Sequence, residues 1–155
     1  MPIVPPPYHF GLVVADLEAA QQELADALHL RWAGTMRRSL TLESPDGPTP
    51  VEVAYCYSLE GPPYLELLEQ RPGTIFDQVG LHHIGIWCDD FHVESERLEQ
   101  LGWPRETVSL KPDGSWSAGL FHTGDCGLRL EVVNMATSGP ALLRYLAGGD
   151  YRPDG

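Results

Sequence analysis

The sequence has 155 residues, 43% of them apolar and 21% charged, a composition typical of a globular domain with a sizeable core. Its 10 basic and 22 acidic residues give a net charge of −12, which argues against nucleic acid and anionic membranes as partners. No apolar run approaches the ~18 residues that a membrane helix needs, so we expect no membrane span.

The first half of the chain predicts a strand, a helix and three further strands. Residues 8–14 have the apolar pattern of a strand, and Asp16 then N-caps a helix over about residues 17–29. Three strands separated by turns rich in proline and glycine follow at about residues 31–41, 51–58 and 64–68.

The same pattern begins again in the second half. The segment that starts at His83 matches the segment that starts at His9, and Asp90 takes the capping place of Asp16, both at an offset of 74 residues. A second helix and three more strands are predicted at about residues 91–101, 104–110, 116–122 and 127–133. A tail helix follows, with Ser138 as N-cap and a proline in the first turn.

This repeat determines the fold class that we expect. Each half reads as a βαβββ unit, and a duplicated unit of this kind predicts an α+β fold. We therefore expect a single domain, residues 1–155, built from two modules at about residues 7–70 and 80–134 and a C-terminal helical tail.

One strand of the second module carries unusual side chains. Residues 81–88 are apolar or aromatic except for two adjacent histidines, which predicts a mostly buried strand. Because strand side chains alternate, His83, Gly85 and Trp87 share one face, and His82 is expected to point away from it. A buried imidazole needs a hydrogen bond, a solvent-filled cavity or a metal as its partner.

Each half contributes one histidine in its first strand and one glutamate in its last strand, namely His9 and Glu66, then His83 and Glu131. If the halves pack about a pseudo-twofold axis, all four side chains can enter one cavity. Two imidazoles and two carboxylates suit one divalent ion of zinc, cobalt, nickel, manganese or iron. A structural histidine or a glutamate at a sheet edge explains each residue alone, but their recurrence in both halves favours a metal site.

With these residues the sequence resembles the vicinal oxygen chelate superfamily, which includes glyoxalase I, methylmalonyl-CoA epimerase, extradiol dioxygenases and bleomycin- and fosfomycin-resistance proteins. The resemblance covers roughly residues 8–134 and is closest to the epimerase branch. It rests on Glu66-Leu67-Leu68, on residues 80–84 (GLHHI), and on residues 121–127 (FHTGDCG) leading to Leu130-Glu131.

The resemblance implies two modules that form a curved mixed sheet around a metal. In such proteins the metal holds substrate oxygens and stabilises the negative charge that develops on them. A carboxylate moves the proton in an epimerase or glyoxalase, so Glu131 is expected to be both ligand and base. An epimerase also needs a second acid, for which Glu43, Asp46 and Glu52 are candidates.

Three further residues, Arg129, Trp87 and Tyr64, are expected to bind the substrate. Arg129 lies two residues before Glu131 and should share its inward face, where a guanidinium can clamp a carboxylate or phosphate. A position at the strand end, reaching solvent, suits Arg129 equally well. The two aromatic residues share strand faces with predicted ligands, although Trp87 is equally suited to a plain core role.

The leading functional hypothesis is a metal-dependent isomerase or lyase, epimerase-like or glyoxalase-like, that stabilises an enolate-type intermediate of a small carbonyl substrate. A non-catalytic protein that sequesters a small molecule, as resistance members do, is the alternative, but such binders often lack the ligand set. A ring-cleaving dioxygenase ranks third, because Glu66 would fill a position needed for oxygen or substrate.

Sheet edges, cysteine spacing and the N-terminal residues bear on the oligomeric state and the compartment. A homodimer is expected, because two curved sheets leave edges that need covering, and residues 81–88 and the proline-rich start are candidate contacts. Three widely spaced cysteines without a CxxC pair indicate reduced thiols, and residues 1–7 lack the basic and apolar regions of a signal peptide. We therefore expect a cytoplasmic protein.

Overall fold

The computed structural model describes residues 6–149 and 151 of the chain. Its elements in chain order are β1 (His9–Val14), α1 (Leu17–Leu28), β2 (Met36–Ser44), β3 (Gly47–Tyr57), β4 (Tyr64–Glu69), β5 (Gly80–Cys88), α2 (Phe91–Gln100), β6 (Arg105–Leu110), β7 (Leu120–Thr123), β8 (Arg129–Asn134) and α3 (Met135–Leu146). This order confirms the duplicated βαβββ pattern, with α3 as the tail helix.

The eight strands form one curved mixed sheet that closes into a barrel in the order β1-β4-β3-β2-β6-β7-β8-β5. Within each module the first strand runs parallel to the last, β1 to β4 and β5 to β8. The modules join through two antiparallel pairs, β1 with β5 and β2 with β6. Every described strand thus has two neighbours, so the open edges from which we predicted a homodimer are absent from the described sheet.

Apolar side chains pack on both sides of the sheet. On the outside, α1 buries Leu17 near Leu67, and α2 buries Leu98 near Val132. On the inside, α3 adds Tyr145 to a cluster of barrel residues. Its hydroxyl donates a 2.7 Å hydrogen bond to a backbone carbonyl. The barrel interior is therefore partly filled from the tail, outside both modules.

The helix caps were predicted correctly in the two modules and wrongly in the tail. The side chains of Asp16 and Asp90 accept hydrogen bonds from backbone N–H groups at the starts of α1 and α2. In the tail, Asn134 caps α3 by accepting from the backbone N–H of Thr137, so the helix begins directly after β8. Ser138 is therefore not the N-cap but a buried residue inside the helix.

The second strand also starts later than predicted. It begins at Met36 instead of residue 31, because Trp32 packs into the cluster beneath α1 and its indole donates a 2.8 Å hydrogen bond to the Gln21 carbonyl. In the described ranges, no helix is long and apolar enough to cross a membrane. The proline-rich start, proposed as a dimer contact, falls largely at residues 1–5, outside the described residues.

Candidate metal centre

Strand register brings the four predicted ligands together. Gly11 on β1 lies opposite His83 on β5 and opposite Glu66 on β4. The second module repeats this arrangement, because Gly85 on β5 lies opposite His9 on β1 and opposite Glu131 on β8. His83 of the second module therefore lies in one row with Gly11 and Glu66 of the first module. In the same way, His9 of the first module lies in one row with Gly85 and Glu131 of the second.

The resulting cluster is compact and shielded from water. The Nε2 atoms of His9 and His83 are 2.8 Å apart, and each lies 3.1–3.4 Å from a carboxylate oxygen of Glu66 and of Glu131. Both imidazoles are fully buried, whereas the Glu66 and Glu131 side chains remain 8% and 13% exposed. The two carboxylates therefore form the accessible side of the cluster.

The four groups shift one another's protonation. Burial alone would lower the pKa of His9, but hydrogen bonds to Glu131 and Glu66 outweigh burial and raise it to about 9. The pKa of His83 is likewise raised, against its burial, by the same two carboxylates. Burial favours neutral carboxyl groups, but the neighbouring imidazoles hold the pKa of Glu66 and of Glu131 below the ordinary range.

The donor set fits a divalent cation. An ion with bonds of about 2.0–2.2 Å separates adjacent ligand atoms by roughly 2.8–3.6 Å, depending on tetrahedral or octahedral geometry. The five distances above span 2.8–3.4 Å, and one donor atom from each of the four residues lies within 4.8 Å of the others. Glu66 Oε2 is buried, and its polar neighbours are the Nε2 atoms of His83 and His9 at 3.2 and 3.4 Å, so a cation between these atoms would compensate its charge.

A third histidine, His82, orients one of the predicted ligands, His83. His82 Nε2 lies 2.8 Å from the carbonyl oxygen of Ile75, which can only accept, so this nitrogen carries the proton. Burial, and then the charge of His83, lowers the pKa of His82 to about 4, so the ring is neutral. Its Nδ1 therefore accepts the proton of His83 Nδ1 at 2.9 Å, leaving the lone pair of His83 Nε2 for the cluster.

The contact corrects our prediction that His82 points away from the site. The His82 side chain adopts a rotamer in which its ring contacts the ring of His83. The alternation of side chains along a strand does not predict this rotamer. His9 has no equivalent partner in the described structure, because its Nδ1 is buried without a hydrogen bond. The two histidines of the cluster therefore differ in the hydrogen bonds that hold them.

A family of known proteins matches most of this chain. The profile of the Glyoxalase/Bleomycin resistance protein/Dioxygenase superfamily matches residues 8–116. The chain belongs to this superfamily. No curated protein sequence matches the chain significantly.

Several solved structures share the fold of this chain. One is a methylmalonyl-CoA epimerase in complex with methylmalonyl-CoA and NH4+, 18% identical, with a TM-score of 0.58 over 84% of this chain and 94% of that one. The methylmalonyl-CoA epimerase of Mycobacterium tuberculosis is 17% identical, with a TM-score of 0.60 over 85% and 89%. A hypothetical protein of Bacillus halodurans is 18% identical, with a TM-score of 0.61 over 83% and 93%.

A cavity inside the barrel adjoins the cluster. Glu66, His83 and Glu131 are part of the cavity wall. Most of the remaining wall is aliphatic or aromatic, and its aromatic members are Tyr8, Tyr55, Tyr57, Phe76, Phe121 and Tyr151. Burial raises the pKa of Tyr8 and Tyr57 well above the ordinary value, so both phenols keep their protons. The side of the cluster that a small molecule can reach is therefore a mainly apolar space.

The three residues expected at the substrate site lie outside this cavity wall. Arg129 forms two hydrogen bonds of 2.7 and 2.8 Å with Glu106 on β6. Trp87 stacks on Tyr8 with ring centroids 3.7 Å apart, which places it behind the wall. Tyr64 packs against the inner apolar cluster. Each of these three residues therefore contacts other groups of the protein and does not line the cavity.

The candidate second acids also lie away from the cavity. Glu43, Asp46 and Glu52 are all absent from its wall, and Glu52 accepts a hydrogen bond from Ser39 on the exposed outside of the barrel. Among the described residues, Glu66 and Glu131 are the carboxylates that face the cavity. These two groups are therefore the carboxylates that a molecule in the cavity could contact.

Proposed function

We propose that this protein is a metal-dependent isomerase or lyase that moves a proton next to a carbonyl group of a small substrate, in epimerase-like or glyoxalase-like chemistry. The observation that carries the proposal is the buried His9–Glu66–His83–Glu131 cluster with its carboxylate side facing an apolar cavity. A protein that only sequesters a small molecule requires the cavity but does not require these four metal-binding side chains.

The residues of the chain have separable tasks in this proposal. All four cluster side chains hold the ion, and a divalent cation supplies Lewis-acid stabilisation of negative charge on a substrate oxygen. Glu131, which faces the cavity, accepts the proton from the carbon next to the carbonyl and returns it. The apolar wall excludes water, which strengthens electrostatic interactions inside the cavity.

Exchange of carbon-bound protons with solvent tests this function. The protein is stripped with a chelator, reloaded with zinc, cobalt, nickel, manganese or iron, and incubated in heavy water with 2-oxo acids, acyl-CoA thioesters and hemithioacetals. NMR should show loss of the proton next to the carbonyl for at least one substrate with the loaded protein and none with the stripped protein. No exchange with any substrate, despite full loading, would favour the sequestering protein.

We also propose a homodimer in a reducing compartment such as the cytoplasm. Val79 and Leu81, at the start of β5, expose 58% and 67% of their surface, which supports a contact there in place of the closed sheet edges. Three free cysteines support the reducing compartment. Light scattering of the wild type and of Leu81→Glu should show a dimer that the substitution weakens, and a wild-type monomer would contradict the dimer.

A further inference from the structure

The cavity wall contains one permanently charged cation among its described residues, Arg38. Arg38 lies on β2 on the same face as Leu40 and Leu42, and all three line the cavity. The preceding residue, Arg37, is exposed and forms a 3.7 Å ion pair with Glu69. The two adjacent arginines therefore face opposite sides of the sheet.

Arg38 has no carboxylate partner among the described residues. The ion pairs that involve arginine belong to other positions, and the guanidinium of Arg38 instead lies over the ring of Tyr151, 5.3 Å from its centroid. A half-buried cation beside apolar side chains is unfavourable unless an anion or polar group compensates it. The contact with an aromatic ring compensates it only in part.

The charge of the loaded site makes this cation more significant. When a divalent ion is bound, its two positive charges offset the two carboxylates, and both imidazoles are neutral ligands. Among the described wall residues, the guanidinium of Arg38 is then the uncompensated charge. A substrate that carries a negative group would neutralise the loaded cavity.

Strand register gives the separation, measured along β3, between the backbone positions of Arg38 and of the cluster. Arg38 pairs with Val53 on β3, whereas Glu66 pairs with Tyr57 on the same strand. The four residue steps between these positions correspond to about 13 Å at a rise of about 3.3 Å per residue. Tyr55 lies between them and also lines the cavity. A ligand that reaches both ends must therefore be elongated and pass an aromatic wall.

We infer that the substrate is an elongated, mainly apolar carbonyl compound whose far end carries a carboxylate, and that Arg38 binds this carboxylate. The inference rests on the proposed function, because the other end of the substrate must present its oxygen to the metal cluster. A guanidinium suits this role, since it offers two parallel N–H donors to a carboxylate.

Metal-binding probes of graded length test the inference without turnover. Protein loaded with cobalt(II) is titrated with the monohydroxamates of adipic, suberic and sebacic acids, and with the methyl-ended alkyl hydroxamates of equal length. The visible spectrum of cobalt reports attachment of the hydroxamate head. The wild type should bind at least one carboxylate-ended probe about tenfold or more tightly than its methyl-ended match, the preference expected for a charged hydrogen bond.

Variants assign the preference to the guanidinium. Arg38→Met should abolish it, Arg38→Lys should retain part of it, and Arg37→Met, which removes the same charge from the outer face, should leave it intact. Tyr151→Ala should also keep it, because the cation remains. Equal affinities of the paired probes in the wild type would overturn the inference, as would equal losses in Arg38→Met and Tyr151→Ala, which would show that Arg38 only holds Tyr151.

The two proposals fail in distinguishable ways. Cobalt spectra that respond to hydroxamates without any preference for the carboxylate end would overturn the role of Arg38 and leave the metal site intact. Failure of the chain to bind cobalt at all would remove the proposed function and this inference together.

Discussion

The imidazole ring of His83 occupies the space where Gly11, on the neighbouring strand, lacks a side chain. A Cβ atom on Gly11 would overlap three atoms of that ring. The pseudo-symmetric pair has the same relationship, because a Cβ on Gly85 would overlap the ring of His9. The two imidazoles can approach each other across β1 and β5 only because both facing positions are glycine.

Gly11→Ala and Gly85→Ala should therefore displace a metal ligand. Overpacking of this kind costs typically about 1–3 kcal/mol of unfolding free energy, and we expect metal content to fall with it. Gly34→Ala is the matched control, because a Cβ there meets nothing within 4 Å. Elemental analysis and chemical denaturation measure the two effects. Full metal occupancy in both cluster variants would contradict the proposed packing.

Metal affinity should increase with pH between neutrality and about pH 9. The raised pKa of His9, about 9 in the metal-free fold, means that binding must displace its proton below that pH. Each displaced proton corresponds to about a tenfold gain in affinity per pH unit. Competition with a chelator of known protonation constants measures this slope, and an affinity independent of pH over the range would contradict the assignment.

The stability of the metal-free protein should change in the opposite direction. An unfolded histidine loses its proton near pH 6.5, whereas His9 in the fold keeps it to about pH 9. The stabilisation from this proton is complete below pH 6.5 and is lost as pH rises to about 9. Chemical denaturation of the stripped protein should show this loss, and the metal-loaded protein, whose His9 is already deprotonated, should not.

Replacement of His82 should weaken metal binding although it is not a ligand. His82→Phe removes the acceptor for His83 Nδ1, and loss of such a contact typically reduces metal affinity roughly 10–100-fold. His82→Gln, which keeps an acceptor, should restore part of the affinity. Nitrogen NMR of the wild type at a pH above the His83 transition should show the proton of His83 on Nδ1.

His122→Phe is the matched control for His82→Phe. This buried histidine lies on the other side of the sheet. Its Nε2 is hydrogen-bonded to the Ser95 hydroxyl at 2.9 Å, and its Nδ1 to the Trp103 carbonyl oxygen at 2.8 Å. Its loss should destabilise the fold without changing the metal affinity of the folded protein. Equal losses of affinity in the two variants would show that His82 acts through general stability only.

The repeat made the convergence of His9, Glu66, His83 and Glu131 predictable from sequence, because equal spacing in two halves of a chain implies equivalent places in a duplicated fold. Local patterns also located most strands and the caps at Asp16 and Asp90. Several features that they missed depend on long-range partners. Glu106, which engages Arg129, lies 23 residues away along the chain. The closure of the barrel through β2 and β6 joins strands of different modules, which no local pattern reports.

Two glycines in the sequence also indicate the site. Glycine follows two residues after each ligand histidine, at positions 11 and 85, and the two glycines share the offset of the histidines. A glycine inside a strand often marks close approach of another group. The position of Arg38, in contrast, carried no such signal, because an inward arginine becomes visible only once the strand pairs are known.

Two matched substitutions separate metal binding from proton transfer. Glu66→Gln and Glu131→Gln each remove one carboxylate of the same cluster, at nearly equal burial and with both histidines retained. Both should lower metal affinity to a similar extent, because each replaces a charged ligand with a neutral amide. Occupancy is therefore restored in both with excess metal and verified before the assay.

With occupancy equal, only Glu131→Gln should abolish exchange in heavy water. An amide cannot accept the proton, and general base catalysis contributes typically about 10²–10⁴-fold, well above the effect of altered ligand charge. Glu66→Gln should retain measurable exchange with the same substrate. A collapse confined to Glu66→Gln would move the proton-transfer role to Glu66, the other carboxylate that lines the cavity. Exchange at the wild-type rate in both loaded variants would exclude both carboxylates as the base.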